Sequence, residues 1–222
     1  MLPNLLRVMN LQKGETVLDL ACGSGFFSRA FSAIGVKVIG VDVAKNLIEI
    51  AKKTPDKNIA YKVSMAHKLE FLESGSVDKI ALVLAVQNIE EIQKVFAESA
   101  RVLKKGGTMH IVLNHPAFRV PKRSSWGWDE KVGAQYRRVD AYISESTEKI
   151  QMHPGDKPSE YTLSFHRPLQ VYFKHLRRGG FLVRGLEEWI SNRKSEHGPR
   201  AREEDRIRKE IPLFLMIESV KM

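Results

Sequence analysis

The stretch VLDLACGSGFFS, residues 17–28, decides the fold. Residues 15–21 read as a buried strand in which one acid, Asp19, interrupts an apolar run. Gly23-Ser24-Gly25 follows at once, and FFSRAFSAIG (26–35) has helical spacing closed by Gly35. Strand, glycine turn and helix in this order open a βαβ unit. The glycines permit a tight turn and let a ligand approach bare backbone. Asp19 is the anomaly. A carboxylate inside a buried strand is costly unless a cation or a hydrogen-bond donor meets it.

The same rhythm continues outward from this stretch. NLLRVMNL (4–11) is a short helix before it. Strands are expected at 37–43, 59–65, 77–86 and 108–114, with helices at 44–54 and 89–107, the latter stopped by Gly106-Gly107. Strands joined by helices at this spacing give a doubly wound, Rossmann-like, mostly parallel sheet with helices on both faces. The pattern breaks at His115-Pro116. It resumes with a helix over 168–180 and strands over 181–190 and 211–221, separated by a hydrophilic span that ends in a charged helix. The whole chain, 1–222, is thus expected to be one domain carrying an insertion at 115–167. Inside it, KIQMH (149–153) and YTLSFH (161–166) alternate on either side of PGDKPSE, which indicates a β-hairpin. Ligands of such sheets sit beyond the carboxyl ends of the strands. The insertion leaves from that edge and is placed to act as a lid and substrate-binding subdomain.

Composition bounds the partners. The net charge is +10, yet acids interleave with the bases, as in RAREEDRIRKE (200–210), which is the pattern of a solvated helix laced with ion pairs. The one cysteine, Cys22, leaves no internal disulfide and no cysteine-rich metal site, and a reduced, cytoplasmic setting is expected. The longest apolar run, IALVLAV (80–86), is too short to cross a bilayer, and the N-terminus lacks the features of a signal peptide.

Asp42 ends the second strand, about 20 residues beyond the glycine loop, where a carboxylate grips a ribose diol. A third glycine is missing, Ser28 standing in its place, and no P-loop lysine follows, so dinucleotide and phosphate chemistry are poorly served. Asp19-Leu20-Ala21-Cys22-Gly23-Ser24-Gly25, with Asp42 after the next strand, resembles motifs I and II of class I S-adenosylmethionine-dependent methyltransferases, which commonly read D-L-G-C-G-T-G. Ala21 stands where their first glycine is usual. AESARVLKKGGTMHIV (97–112) and the closing FLVRGLEEW and PLFLMIESV segments extend the resemblance over nearly the whole chain. It implies seven strands, the last antiparallel.

The resemblance also implies S-adenosyl-L-methionine as methyl donor and S-adenosyl-L-homocysteine as product. Asp19 would hold the methionine amino group, directly or through water. Ala21, Gly23 and Gly25 would bring backbone against the methionyl and ribosyl parts, and Asp42 would take the ribose hydroxyls. Val43 would pack on the adenine. Ser64 and Met65 stand where family members often carry an adenine-binding acid, so a hydroxyl or backbone contact is expected there. Ala85, with Val86 and Gln87, would line the pocket near the sulfonium. Family members usually have a further helix before motif I, whereas sixteen residues precede Val17 here, which implies either a shortened chain or a more open site with weaker cofactor binding and activity.

Some acceptor classes announce themselves by motif. Neither an N-methylating [D/N]-P-P-[Y/F] after the fourth strand, nor a free nucleophilic cysteine, nor a metal-binding carboxylate cluster is present in AVQNIEE (85–91). The expectation is therefore metal-free, in-line methyl transfer to a small molecule by a monomer or homodimer. An RNA methyltransferase using the basic surface, and a catalytically weak cofactor-binding protein, stay open as alternatives. His115 and His166 are candidate general bases and Tyr136 a candidate orienting group, each with an ordinary structural role as its alternative. Trp126 and Trp128 are placed to wall an apolar substrate or anchor the insertion. Arg137 and Arg138 are placed to bind an acidic group or to pair with Asp140 and Glu145.

Overall fold

The structure, a computed structural model, describes residues 1–151 and 161–222. Helix α1 (Leu2–Met9) has proline in its first turn and stops at Asn10, which takes the left-handed conformation of a C-terminal cap. Then come β1 (Thr16–Leu20), α2 (Phe26–Ser32), β2 (Lys37–Asp42), α3 (Lys45–Lys52), β3 (Ile59–Val63) and β4 (Val77–Val83). A single-turn 3-10 helix, Val86–Asn88, leads to α4 (Ile92–Val102) and β5 (Leu103–Asn114). After two hairpins the chain completes α5 (Leu169–Arg178), β10 (Phe181–Trp189), α6 (Ala201–Glu210) and β11 (Phe214–Lys221).

Seven strands form one sheet in the order β10-β11-β5-β4-β1-β2-β3. All pairs from β3 to β5 are parallel, and β11 runs antiparallel to both of its neighbours. The expected seven-stranded sheet with its last strand reversed is therefore what forms. Strand β1 lies between β2 and β4, so the chain winds one way from β1 and then returns to start β4 on its other side. This switch point opens a crevice at the carboxyl ends of β1 and β4, into which the glycine loop projects.

The sheet is covered on both faces, and β1 shows why its residues alternate. Leu18 and Leu20 pack with Ile92, Val95 and Phe96 of α4 and Tyr172 and Leu176 of α5. Val17 faces the other layer, with Leu5 and Met9 of α1 and Phe31 of α2. Successive side chains point to opposite faces, so Asp19 falls on the α2 side, where Ser28 meets it.

Two expectations change. The helix expected over 89–107 ends at Val102, because Leu103 is already extended and fully buried against the sheet. The ladder pairs Val77 with Leu103 and Lys79 with Thr108, so 104–107 bulge out of β5, with Gly106 at φ 76° making the turn. The insertion holds two hairpins rather than one: β6 (Ser124–Asp129) with β7 (Ala134–Val139), and β8 (Ser146–Gln151) with β9 (Tyr161–His166). The second joins the two runs expected to pair; Met152, His153 and residues 154–160 lie outside the described residues.

Arg101 of α4 ties down the chain that carries β3 towards β4. Its guanidinium donates to Glu98 at 2.7 and 2.9 Å and to the carbonyls of Leu69 and Leu72 at 2.8 Å each, while Glu98 accepts from the Leu69 amide at 2.9 Å. A planar fork serves all four bonds at once; an ammonium does not. Arg101→Leu is expected to cost about 2 kcal/mol and lower the melting temperature by about 5 °C, with Arg101→Lys recovering less than half, as read by calorimetry. Equal stability of all three proteins would show the clamp to be unimportant.

Candidate active site

The loop after β1 is built on left-handed backbone. Ala21, Gly23 and Gly25 have φ of 59°, 54° and 79°. A side chain at Gly25 would meet the Tyr61 hydroxyl at 2.3 Å, so a substitution there has to displace that ring as well as bear the left-handed backbone. At Gly23 a Cβ would meet nothing within 4 Å, which leaves the outer side of the loop open to a ligand. Ala21 has the conformation that costs a non-glycine residue about 1–2 kcal/mol.

Asp42 locks this loop to the next. Its Oδ2 accepts from the Gly23 amide and its Oδ1 from the Ala44 amide, both at 2.8 Å. The carboxylate thus caps the turn into α3, pins the glycine loop and still lines a cavity. Each oxygen keeps acceptor capacity for a further donor.

That cavity, of about 330 Å³, lies at the carboxyl ends of β1, β2 and β3. Ala21, Asp42, Val43, Ser64 and Met65 line it together. Val43 and Met65 are 64% and 46% exposed, an apolar rim beside a carboxylate. The Ser64 amide donates to the Asp42 carbonyl at 3.0 Å and its hydroxyl to the Lys68 carbonyl at 2.5 Å. Bare backbone, a carboxylate with free acceptor capacity and apolar walls suit a ribose joined to a flat base. His67, Asn88, Glu90 and Glu91 also line it and are not among the site residues expected from the sequence. Their signal was positional, since they follow β3 and β4 at the ligand-binding edge.

Two residues expected at the cofactor do not line this cavity. Asp19 is 1% exposed and lies beneath the loop, outside the cavity lining, where the Ser28 hydroxyl donates to it at 2.5 Å. Burial pushes its pKa up to about 6; the Ser28 bonds pull it down and the Asp42 charge adds to the rise. Ala85 packs against the core that α4 and α5 cover and does not line the cavity.

A second, tight cavity of about 30 Å³ brings together Gln87, Asn114, His166 and Arg167. The Gln87 amide donates to the Leu84 carbonyl at 2.8 Å, and its Oε1 is buried with no hydrogen-bond partner. Nε2 of His166 lies 2.7 Å from the Tyr142 carbonyl oxygen. A carbonyl only accepts, so Nε2 carries the hydrogen and the neutral ring keeps its lone pair on Nδ1. His115 differs. Its Nε2 meets Glu188 at 2.7 Å and its Nδ1 accepts from the Ala117 amide at 3.2 Å, so both nitrogens are engaged. Burial lowers its pKa, and Glu188 opposes that in part.

Tyr136 is half exposed, lies across Gly127 in the first hairpin and lines none of these cavities. Trp128 is covered by the Arg200 guanidinium at 4.6 Å and anchors that hairpin to α6, whereas Trp126 walls a separate cavity. Arg138 pairs with Asp140 at 2.6 Å, and Arg137 bonds the Phe118 carbonyl and the Ser124 hydroxyl, each at 2.7 Å. Among the described residues no group of three His, Cys, Asp or Glu side chains is placed to hold a metal ion, and no helix is long and apolar enough to cross a membrane.

Residues 18–111 match the family described as the methyltransferase domain. The demethylmenaquinone methyltransferase of Lactococcus lactis is 30% identical over 177 residues, 75% of this chain and 70% of that protein. The enzyme of the same name from Staphylococcus epidermidis is 34% identical over 166 residues, 72% of this chain and 68% of that one. Among solved structures, an S-adenosylmethionine-dependent methyltransferase from Mesorhizobium loti superposes with a TM-score of 0.79 at 26% identity, over 98% of this chain and 96% of the other. The matched segment holds the glycine loop, Asp42 and the cavity they border. The chain therefore belongs to the class I S-adenosylmethionine-dependent methyltransferases, and S-adenosylmethionine is its cofactor.

Proposed function

We propose that this enzyme methylates a small molecule in the cytoplasm, with the 330 Å³ cavity as cofactor site and the Gln87–His166 cavity as the acceptor end. The observation that carries this reading is the Asp42 carboxylate, which joins the glycine loop to the cavity wall at the place a ribose diol would occupy. When bound, the cofactor supplies a methyl group on a sulfonium, so the protein need only align the acceptor and remove its proton. Two relatives named for demethylmenaquinone give precedent for a small acceptor.

In this scheme Asp42 holds the ribose hydroxyls, and Val43 and Met65 flank the base with Ser64. The Gly23 and Gly25 backbone borders the methionyl part. Asp19 supports the methionine amino group from beneath the loop, through Ser28 rather than by contact in the cavity. His166 is the base: the Tyr142 carbonyl fixes its tautomer and leaves Nδ1 to accept the acceptor's proton. Gln87 Oε1 offers that proton-bearing group a second acceptor. His115 is an anchor where the chain leaves β5, and residues 115–167 serve as the lid, β9 packing on the 3-10 turn that carries Gln87.

Titration with S-adenosylmethionine tests the cofactor site. Asp42→Ala is expected to weaken binding about 100-fold, from two lost charge-assisted bonds, and unchanged affinity would refute the ribose assignment. Asp19 has a stability signature. Its folded pKa lies above the ordinary 3.8, so the folded state holds the extra proton and stability falls as pH rises from about 4 to about 6. Asp19→Asn is therefore expected to be more stable than the parent at pH 7.5, by at most about 3 kcal/mol, and equal to it near pH 4, in urea unfolding. Labelled methyl transfer into a metabolite extract tests the base. His166→Asn should lose about 10²–10⁴-fold in rate with cofactor affinity intact, while His115→Asn should lower stability first. Transfer to RNA but not to extract would reverse the choice of acceptor.

A further inference from the structure

A third cavity, of about 260 Å³, lies between the β6–β7 hairpin and the 191–213 segment. Its cations are Arg119, Arg137, Arg193 and Arg208, and no acidic residue lines it. Arg208 is compensated from outside by Glu204 at 3.5 Å and Asp205 at 3.4 Å. Arg137 gives its bonds to a carbonyl and a hydroxyl, both neutral, with its guanidinium 5.0 Å from the Trp126 ring. Among the described residues, the side chains of Arg119 and Arg193 meet neither a carboxylate nor a hydrogen-bond acceptor.

Three guanidinium groups thus share one concavity without a counter-charge. Burial lowers the Arg137 pKa, and the neighbouring Arg119 charge lowers it further. A protein that leaves such a cluster uncompensated is complementary to an anion, and the planar forks match the paired oxygens of phosphate or carboxylate. Position adds the second argument. Arg119 borders this cavity and the small one that holds Gln87 and His166, so one side chain joins the two.

We propose that the arginine cavity receives an anionic group, phosphate or carboxylate, of the methyl acceptor, with Trp126 as a wall for the atoms next to it. The assignment rests on the acceptor end lying at His166. The acceptor is then a small acid whose anion docks under the β6–β7 hairpin and whose nucleophile reaches past Arg119.

Phenyl phosphate and benzoate are the probes, titrated into the full chain by calorimetry, with a short single-stranded RNA as a third arm. At least one small probe is expected to bind. Arg119→Gln and Arg193→Gln should each weaken it about tenfold and together about 100-fold. Arg184→Gln, on the far β10 edge and paired with Glu218, should leave it unchanged. Preference between the two probes separates a phosphate from a carboxylate acceptor. S-adenosylmethionine affinity should stay constant throughout; if the parent binds phenyl phosphate but not S-adenosylmethionine, the cofactor reading fails and the anion site stands. Failure of both small probes, equal binding to the double variant, or binding of RNA alone with a steep salt dependence would overturn the anion site.

Discussion

The site depends on one carboxylate. Asp42 accepts one amide from the loop after β1 and another from the turn after β2, at 2.8 Å each. Because β1 and β2 are parallel and in register, with Leu20 opposite Val41, their ends arrive side by side and a single residue can span them. Neutral acceptors would make weaker bonds here, and a longer side chain would overshoot both amides. The glycine loop, the start of α3 and one wall of the 330 Å³ cavity are consequently parts of one hydrogen-bonded unit.

Asp19 plays the complementary part from below. It is fully buried and has only the Ser28 hydroxyl as a side-chain partner, so its charge is poorly supported and its pKa is raised. Asp42 stands close enough to add to that rise. A buried carboxylate with so little support costs stability at neutral pH. Stability given up at this point is the expected mark of a functional site.

Much of this was legible in the sequence, for reasons that can be named. The apolar strands of a parallel sheet announce themselves because both their faces are covered, and glycines at left-handed positions have no cheap substitute. The left-handed turn at Gly23 and Gly25 is legible in this way, and the strand ends place Asp42, Val43, Ser64 and Met65 at one edge of the sheet, where they line a common cavity. What escaped depends on contacts distant in sequence. Nothing local says that Leu103 pairs with Val77, so the helix end was placed too late. The β6–β7 hairpin was missed because SSWGWD and AQYRRV mix aromatic and charged residues on both faces of a ribbon that packs mainly on α6. His115 and His166 look alike in sequence, and only Glu188 and the Ala117 amide on one, against a lone carbonyl on the other, separate them.

Ala21 carries a consequence of its own. Glycine would adopt its left-handed conformation without strain but would also roam more freely in the unfolded chain. Alanine narrows that freedom and takes the strain when the protein folds, before any ligand arrives. A loop shaped in advance loses little motion on meeting its ligand, so more of each contact is left to appear as affinity. Because alanine is strained at this position, the loop keeps its shape only where its surroundings hold it, as the Asp42 bond to the Gly23 amide does.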